Sequence, residues 1–160
     1  MVSEEKFKSA LSRFASGITI ITTADNSGTP VGLTVTAFSS LSLHPPMVLV
    51  CIDKNANSYP SMTLKSHFVV NILAEDQEQL SLVFASRSLQ DRFSNIRYRR
   101  NAHNVPVLDG CLAYLECQVE NSYEGGDHTI FVASVVDAST QEGNPLLYYA
   151  SRYSHIKKRE

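Results

Sequence analysis

The sequence predicts a mainly β protein: an antiparallel barrel with peripheral α-helices. Segments rich in β-branched residues follow one another along the chain, and few helical segments lie between them. Turn-forming sequences connect two pairs of these segments, Asp-Asn-Ser-Gly at residues 25–28 and Glu-Gly-Gly-Asp at residues 124–127. Strands joined by such tight turns pair antiparallel, so these hairpins favour a barrel over a parallel α/β sheet. At a length of 160 residues, we expect one domain over residues 1–160.

An amphipathic helix is predicted over residues 3–15. Ser3 is the expected N-cap, two glutamates follow it at the positive end of the helix, and Gly17 is expected to close the helix. Apolar residues recur at the helical spacing i, i+3, i+4 and i+7, namely Phe7, Ala10, Leu11 and Phe14.

Six strands follow from the β-branched and apolar segments, at residues 18–23, 31–36, 47–52, 67–73, 112–122 and 129–137. A short helix at residues 58–65 and a longer one at 76–85 are predicted between them. The longer helix is expected to turn Leu80, Val83 and Phe84 inward. Residues 86–105 carry five arginines without clean periodicity, and we expect a long, mobile loop of the kind that is often functional.

Composition excludes several classes of protein. A hydrophobic fraction of 43% with a net charge of −2 excludes a disordered chain. A pI near 6.2 argues against nucleic-acid binding. No apolar run has the length of a membrane span, and the first residues lack the apolar core of a signal peptide, so we expect no membrane association. The three cysteines have no CxxC spacing and are expected to be reduced thiols in the cytoplasm.

Common catalytic and nucleotide-binding motifs are absent from the sequence. No GxGxxG follows a predicted strand, and neither GxxxxGK[ST] nor GxSxG occurs. The five histidines do not pair at HxH or HxxxH spacing, so no metal site is predicted. Residue spacing alone therefore leaves the function open and points only to a ligand on the rim of the barrel.

Two strand exits carry polar groups that suit a phosphate or the polar edge of a heterocycle. The first is the hydroxyl-rich run at residues 34–40. The second is residues 51–58, where Lys54 lies beside a helix start that Ser58 is expected to cap. Threonine favours strands and serine favours turns, so two ordinary connections are the alternative interpretation.

Two further features lie near the C-terminus. His128 follows a Gly-Gly-Asp turn, and Tyr153 ends a Ser-Arg-Tyr sequence after a tyrosine pair. A scaffold histidine and aromatic packing on a terminal strand are the alternative explanations for these two residues.

Taken together, the motifs resemble the flavin reductase-like family. They are FASGITIITT, GLTVTAFSSLSLHPPMVLVCIDKNANS, FVVNIL, FAS, DRF, GDHTIFVASV and PLLYYASRY, in one register from about Phe7 to Tyr153. Within the family, the chain is most similar to the small reductase components of two-component flavin-dependent monooxygenases, the group that serves phenol and 4-hydroxyphenylacetate hydroxylases. The resemblance implies a split β-barrel that binds FMN or FAD, a homodimer with sites near the subunit interface, and a cytoplasmic NAD(P)H:flavin oxidoreductase that passes reduced flavin to a separate oxygenase.

The resemblance also assigns site residues. Thr34, Val35, Thr36 and Ala37 would line the isoalloxazine, chiefly through backbone groups. Ser39 and Ser40 would lie by the ribityl chain and phosphate. The second wall would consist of Cys51, Ile52, Asp53, Lys54 and Ser58. The stretch that closes around the phosphate end corresponds to Ala85, Ser86 and Arg87. The nicotinamide would be flanked by His128 and Tyr153. No catalytic side chain is expected, because hydride transfer between stacked rings needs no protein nucleophile.

Two alternatives stay open at this point. The same barrel is also suited to a non-catalytic electron carrier or sensor that holds flavin tightly. A pyridoxamine-type oxidase is a second alternative, although no additional basic cluster points to a second phosphate. FMN against FAD, NADH against NADPH, and the identity of the oxygenase with its aromatic substrate are not determined by the sequence.

Overall fold

The computed structural model describes residues 1–89 and 91–157. Two α-helices lie in this part of the chain, α1 (Glu4–Leu11) and α2 (Glu78–Ala85), with a 3₁₀ turn at Tyr59–Ser61. The strands are β1 (Ser16–Gly17), β2 (Thr19–Ala24), β3 (Pro30–Val35), β4 (Phe38–Leu43), β5 (Pro46–Asp53), β6 (His67–Ile72), β7 (Tyr98–Arg100), β8 (Pro106–Leu108), β9 (Ala113–Gly125), β10 (His128–Thr140), β11 (Leu147–Tyr149) and β12 (Arg152–Ser154).

Seven strands form one antiparallel sheet in the order β3-β2-β6-β9-β10-β5-β4. The sheet curves until β3 lies in contact with β5, although no ladder of hydrogen bonds joins these two strands. The chain crosses between them immediately after β3, where the backbone N–H of Cys51 donates to the carbonyl of Ala37 at 2.9 Å. The predicted antiparallel barrel is therefore confirmed, and it has one open line between β3 and β5, which we call the seam.

Two hydrophobic clusters lie on opposite faces of the sheet. Ile21, Phe68, Val119 and Phe131 belong to the cluster inside the barrel. Ile18 and Ile20 belong to the cluster beneath α2, because neighbouring side chains of a strand point to opposite faces. In α2, Phe84 is 1% exposed, and Leu80 and Val83 pack against the same cluster, as the helical spacing predicts.

The predicted strands and both predicted hairpins are present. Residues 25–28 connect β2 to β3, and residues 124–127 connect β9 to β10. Gly28 and Gly126 have φ values of +83° and +73°, a conformation that glycine adopts without strain. These features were predictable because a turn and its flanking strands are encoded within a few residues.

Helix α1 differs from its prediction. Ser3 caps it by accepting from the N–H of Lys6, as expected, but the helix ends at Leu11 rather than near Gly17. None of its residues is buried: Phe7 is 53% and Leu11 57% exposed, and Phe14, just beyond the helix, is 79% exposed. The apolar periodicity correctly predicts a helix here, and its apolar face lies open in a single chain.

Three further predictions about local structure were wrong. The short helix at 58–65 is only the 3₁₀ turn, and the side chain of Ser58 makes no capping hydrogen bond. The polar run after β3 forms an edge strand, β4, although its serines are more typical of turns. The loop at 86–105 contains β7, which pairs with β8, and Arg92 anchors it by donating to the carbonyls of Gly32 and Ser86, both at 2.6 Å.

Among the described residues, no helix has the length and apolar character needed to cross a membrane.

Candidate functional site

Two cavities lie along the seam, one at each end of β3. The wide groove, of about 560 Å³, lies where β3 ends and β4 begins. The small pocket, of about 180 Å³, lies beside the first residues of β3 and the turn that follows β5. Four residues of extended chain, from Gly32 to Thr36, separate the two linings, which corresponds to roughly 13 Å. The two cavities can therefore accommodate the two ends of one elongated ligand.

The wide groove has an apolar surface with polar groups along one edge. Its base is formed by residues from β3 to β5, namely Thr36, Ala37, Phe38, Ser39, Leu49 and Cys51. One side is α1 with Leu11 and Phe14, and the other is the C-terminal hairpin with Tyr148 and Ser151. Flat apolar walls with a few hydroxyl and backbone groups are suited to a planar heterocycle with a polar edge.

In the part of the chain that the structure describes, two buried polar atoms of the small pocket have no hydrogen-bond partner. They are the hydroxyl of Ser58, a residue that is 1% exposed, and the Nε of Arg92. An unsatisfied buried donor costs on the order of 1–3 kcal/mol, so such atoms usually have a ligand or water as partner. Burial lowers the pKa of Arg92, yet a guanidinium remains charged at neutral pH. The pocket therefore offers a hydroxyl and a cation to an anionic ligand.

An ion pair joins the two sides of the seam. Arg87, just beyond α2, donates to Asp53 at the end of β5 with an N···O distance of 2.6 Å. The pKa of Asp53 is lowered, chiefly by the backbone N–H of Asn55 and to a smaller extent by the Asn55 side chain, Arg87 and His128. The carboxylate therefore stays charged and holds Arg87 at the end of β5.

His128 lies opposite Asp53 in the ladder between β10 and β5. Its Nδ1 lies 2.7 Å from an oxygen of Asp127, and this contact lowers the pKa of Asp127. Lys54, in the same region, donates to Glu124 and to the carbonyl of Gly126. Lys54 thus stabilises the β9–β10 turn through these two hydrogen bonds. The ring of His128 remains partly exposed.

The residues predicted for flavin binding separate into three sets. Thr36, Ala37, Ser39 and Cys51 meet at the wide groove, and Ser58 lies in the small pocket. A second set has side chains directed away from both cavities. Val35 and Ile52 pack in the core. Thr34 donates to the carbonyl of Ser81, and Lys54 donates to the β9–β10 turn. The remaining predicted residues, Ser40, Asp53, Ala85 and Ser86, line neither cavity.

The two C-terminal tyrosines, Tyr148 and Tyr153, lie in different environments, and the nicotinamide role that the resemblance assigns to Tyr153 stays a prediction. Tyr153 packs against the cluster beneath α2 and donates to the hydroxyl of Ser81 at 3.0 Å. Tyr148 is the tyrosine that lines the wide groove. The sequence reasoning also missed Arg92, although the DRF motif that contains it is one of the segments that carry the resemblance.

The fold and the two cavities together describe a split barrel with an apolar groove at one end of the seam and a polar pocket at the other. Residues 11–157 match the model of the flavin reductase like domain. The reductase component of 4-nitrophenol 4-monooxygenase/4-nitrocatechol 2-monooxygenase from Rhodococcus opacus is 42% identical over 155 residues, covering 97% of this chain and 82% of that protein.

Two solved structures of flavin reductases are also similar to this chain over nearly its full length. Flavin reductase PheA2 in its native state superposes with a TM-score of 0.90 at 35% identity, covering 98% of this chain and 100% of that one. The NADH:FAD oxidoreductase SgcE6 of Streptomyces globisporus, in complex with NAD and FAD fragments, superposes with a TM-score of 0.89 at 30% identity, covering 98% of this chain and 96% of that one.

The chain belongs to the flavin reductase-like domain family. The predicted family and split-barrel fold are confirmed. The chain is a flavin reductase of the kind that forms the reductase component of two-component monooxygenases, which confirms the predicted class of enzyme and implies an oxygenase partner.

Proposed function

We propose that the chain transfers a hydride from NADH to a flavin that lies along the seam, with the ring in the wide groove and the phosphate end in the small pocket. The observation that carries this proposal is a pair of buried donors, Ser58 Oγ and Arg92 Nε, that have no partner among the described residues and lie at the end of the seam opposite the apolar groove. The separation of roughly 13 Å along β3 is suited to a ring joined to a phosphate by a ribityl chain.

The residues of the wide groove fit an isoalloxazine. Leu11, Phe14 and Tyr148 supply apolar surface for the ring, while Thr36 and Ala37 present backbone groups at its polar edge. Thr34, Val35 and Ile52 contribute only backbone, since their side chains are engaged elsewhere. A bound flavin supplies the hydride-accepting chemistry, and these residues exclude water and fix the ring orientation on which the transfer depends.

We assign binding of the flavin phosphate to charged side chains and hydrogen-bond donors. Ser58 donates its hydroxyl and Arg92 supplies a half-buried cation, and the exposed Arg87, paired with Asp53, adds positive charge from the end of α2. Ser86 and Ala85 lie in the same stretch, where the main chain leaves α2. Lys54 is paired with Glu124 and Arg87 with Asp53, and we therefore assign the phosphate chiefly to Arg92, whose Nε has no partner among the described residues.

The nicotinamide lies on the solvent side of the ring, where His128 and the C-terminal hairpin flank it. His128 is partly exposed beside Asp53, which suits a residue that hydrogen-bonds a carboxamide or attracts a pyrophosphate. Tyr148 provides the aromatic contact, and Tyr153 supports it from behind. We propose FAD with NADH as the natural pair, since a relative of the same fold is an NADH:FAD oxidoreductase.

We further propose a cytoplasmic homodimer built from one flavin reductase-like domain. The apolar face of α1 is open, and Leu41 and Leu43 on the edge strand β4 are 49% and 73% exposed. Exposed apolar surface of this extent favours association with a second copy. Light scattering at micromolar concentration should give twice the mass of the chain, and an active monomer would refute the dimer. Three free thiols are consistent with a reducing compartment.

The experiment that tests the function measures NADH and NADPH oxidation with riboflavin, FMN and FAD added in turn. Turnover that depends on added flavin supports the reductase, whereas tight flavin binding without NADH consumption supports the electron carrier instead. Ala37→Trp should fill the wide groove and lower turnover by at least about tenfold. Ala138→Trp, at an exposed site on β10, is the matched control and should keep wild-type turnover.

A further inference from the structure

Two walls of the wide groove, the one formed after β3 and the one formed by the C-terminal hairpin, are hydrogen-bonded through Thr34 and Tyr153 to one buried residue of α2. Ser81 is 0% exposed and lies in the middle of the helix. Its carbonyl accepts from Thr34 on β3, and its hydroxyl accepts from Tyr153 on β12. We infer that Ser81 is a positioning residue that sets the distance and angle between the two walls of the wide groove, an inference that rests on the proposed function of that groove.

The first connection fixes the wall formed after β3. Thr34 donates its hydroxyl to the carbonyl of Ser81 at 2.7 Å, two residues before Thr36 in the groove. Strand β3 is at the end of the sheet and is hydrogen-bonded only to β2, so it needs support on its free side. Gly32 supplies a second point of contact, because a Cβ there would lie only 2.9 Å from the ring of Phe84.

The second connection fixes the wall formed by the C-terminal hairpin. Tyr153 donates to the hydroxyl of Ser81 at 3.0 Å. Its ring meets that of Tyr148 edge to face, with centroids 5.6 Å apart, and the two residues are opposite each other in the β11–β12 ladder. Tyr148 lines the groove, so the hydrogen bond at Ser81 determines where this aromatic wall lies.

These contacts separate two roles of the serine. The backbone carbonyl serves β3 and would persist after any substitution that keeps the helix. The hydroxyl serves Tyr153 alone, since the residue is fully buried and no other described side chain bonds to it. Ser81→Ala therefore releases the hairpin wall and leaves the β3 wall in place, whereas Thr34→Val releases only the β3 wall.

The test compares Ser81→Ala, Tyr153→Phe and the double variant, each measured with FAD and NADH. Each single change should raise the KM for NADH and the Kd for FAD by about three- to tenfold, because ring stacking depends on wall position. The double variant should be no worse than either single variant, since all three lack the same hydrogen bond. Thr34→Val should show a similar loss that Thr34→Ser restores.

Tyr114→Phe is the matched control for Tyr153→Phe, because Tyr114 lies on β9 with its ring against Arg99, away from the groove. Tyr114→Phe should keep the wild-type KM for NADH and the wild-type Kd for FAD. Single variants with lower melting temperatures but wild-type KM and Kd would show a purely structural serine and would overturn the inference. Additive losses in the double variant would also overturn it. A wild-type protein that neither binds flavin nor oxidises NADH would instead refute the proposed function, which separates the two failures.

Discussion

The two ends of the seam are built in opposite ways. The wide groove draws its walls from α1, the β3–β4 connection and the C-terminal hairpin, all largely exposed in a single chain. The small pocket is formed around a buried serine and a buried guanidinium atom that lack partners within the described parts of the chain. Under the proposed function, the groove would therefore recognise the ligand by the shape of its walls, and the pocket would recognise it by charge and hydrogen bonds. Substitutions at the two ends should consequently affect different parts of one ligand.

The largest effect is expected at Arg92. Arg92→Met removes a half-buried cation, so the affinity for FMN should fall by about 2–3 kcal/mol, while riboflavin, which has no phosphate, should bind nearly as before. Isothermal titration with both flavins gives the two values. Arg99→Met, on the exposed strand β7, is the control and should change neither. An equal loss for riboflavin and FMN would mean that Arg92 only anchors the loop through Gly32 and Ser86.

Ser58 should give a smaller effect with an unusual signature. Its hydroxyl has no hydrogen-bond partner among residues 1–89 and 91–157, so Ser58→Ala should leave the ligand-free melting temperature unchanged or raise it. The same change should weaken FMN by about 1–2 kcal/mol and spare riboflavin. Ser139→Ala, at an exposed position of β10, serves for comparison. Loss of stability without loss of FMN affinity would remove Ser58 from the phosphate site.

Two neighbouring serines of β4 differ in their position relative to the wide groove. Ser39 lines the wide groove, whereas Ser40 is exposed and lines neither cavity. Ser39→Ala should weaken riboflavin and FMN alike, by about 1 kcal/mol, because it acts at the ring end. Ser40→Ala is its natural control. Fluorescence quenching titrations with both flavins measure these changes, and a selective loss of FMN affinity in Ser39→Ala would place the phosphate at the wrong end.

Substitution of His128 should change the affinity for neither end of the flavin. It lies beside Asp53 and outside both cavities, so His128→Ala should raise the KM for NADH about three- to tenfold and leave flavin affinity near wild type. Steady-state kinetics with a parallel melting curve separate this role from a scaffold role. Lower stability with wild-type kinetics in the folded protein would show that His128 only supports the β9–β10 turn.

Local patterns predicted most of the barrel. The hairpins at residues 25–28 and 124–127 and the strands around them follow from turn chemistry and β-branched residues that are close in sequence. Strand β7 has only three residues and pairs with β8, so no periodicity could reveal it. Strand β4 was missed because its serines are typical of turns, although an edge strand tolerates polar residues on its exposed side.

The site was predicted less completely, for physical reasons that the sequence does not contain. The resemblance directed attention to residues 34–58, and Thr36, Ala37, Ser39 and Cys51 meet at one groove. Which of two neighbouring tyrosines faces that groove depends on the register of β11 with β12 and on the position of α2. Likewise, Arg92 enters the small pocket only because the loop after α2 folds back onto β3.

The central claim is that one flavin spans the seam with its phosphate end in the small pocket. A crystal structure of the protein soaked with FMN tests it most directly. We expect the phosphate within hydrogen-bond distance of Ser58 Oγ and Arg92 Nε, and the ring between Ala37 and Tyr148. A phosphate bound at Lys54 or in the wide groove, with Ser58 and Arg92 still unpaired, would contradict the account.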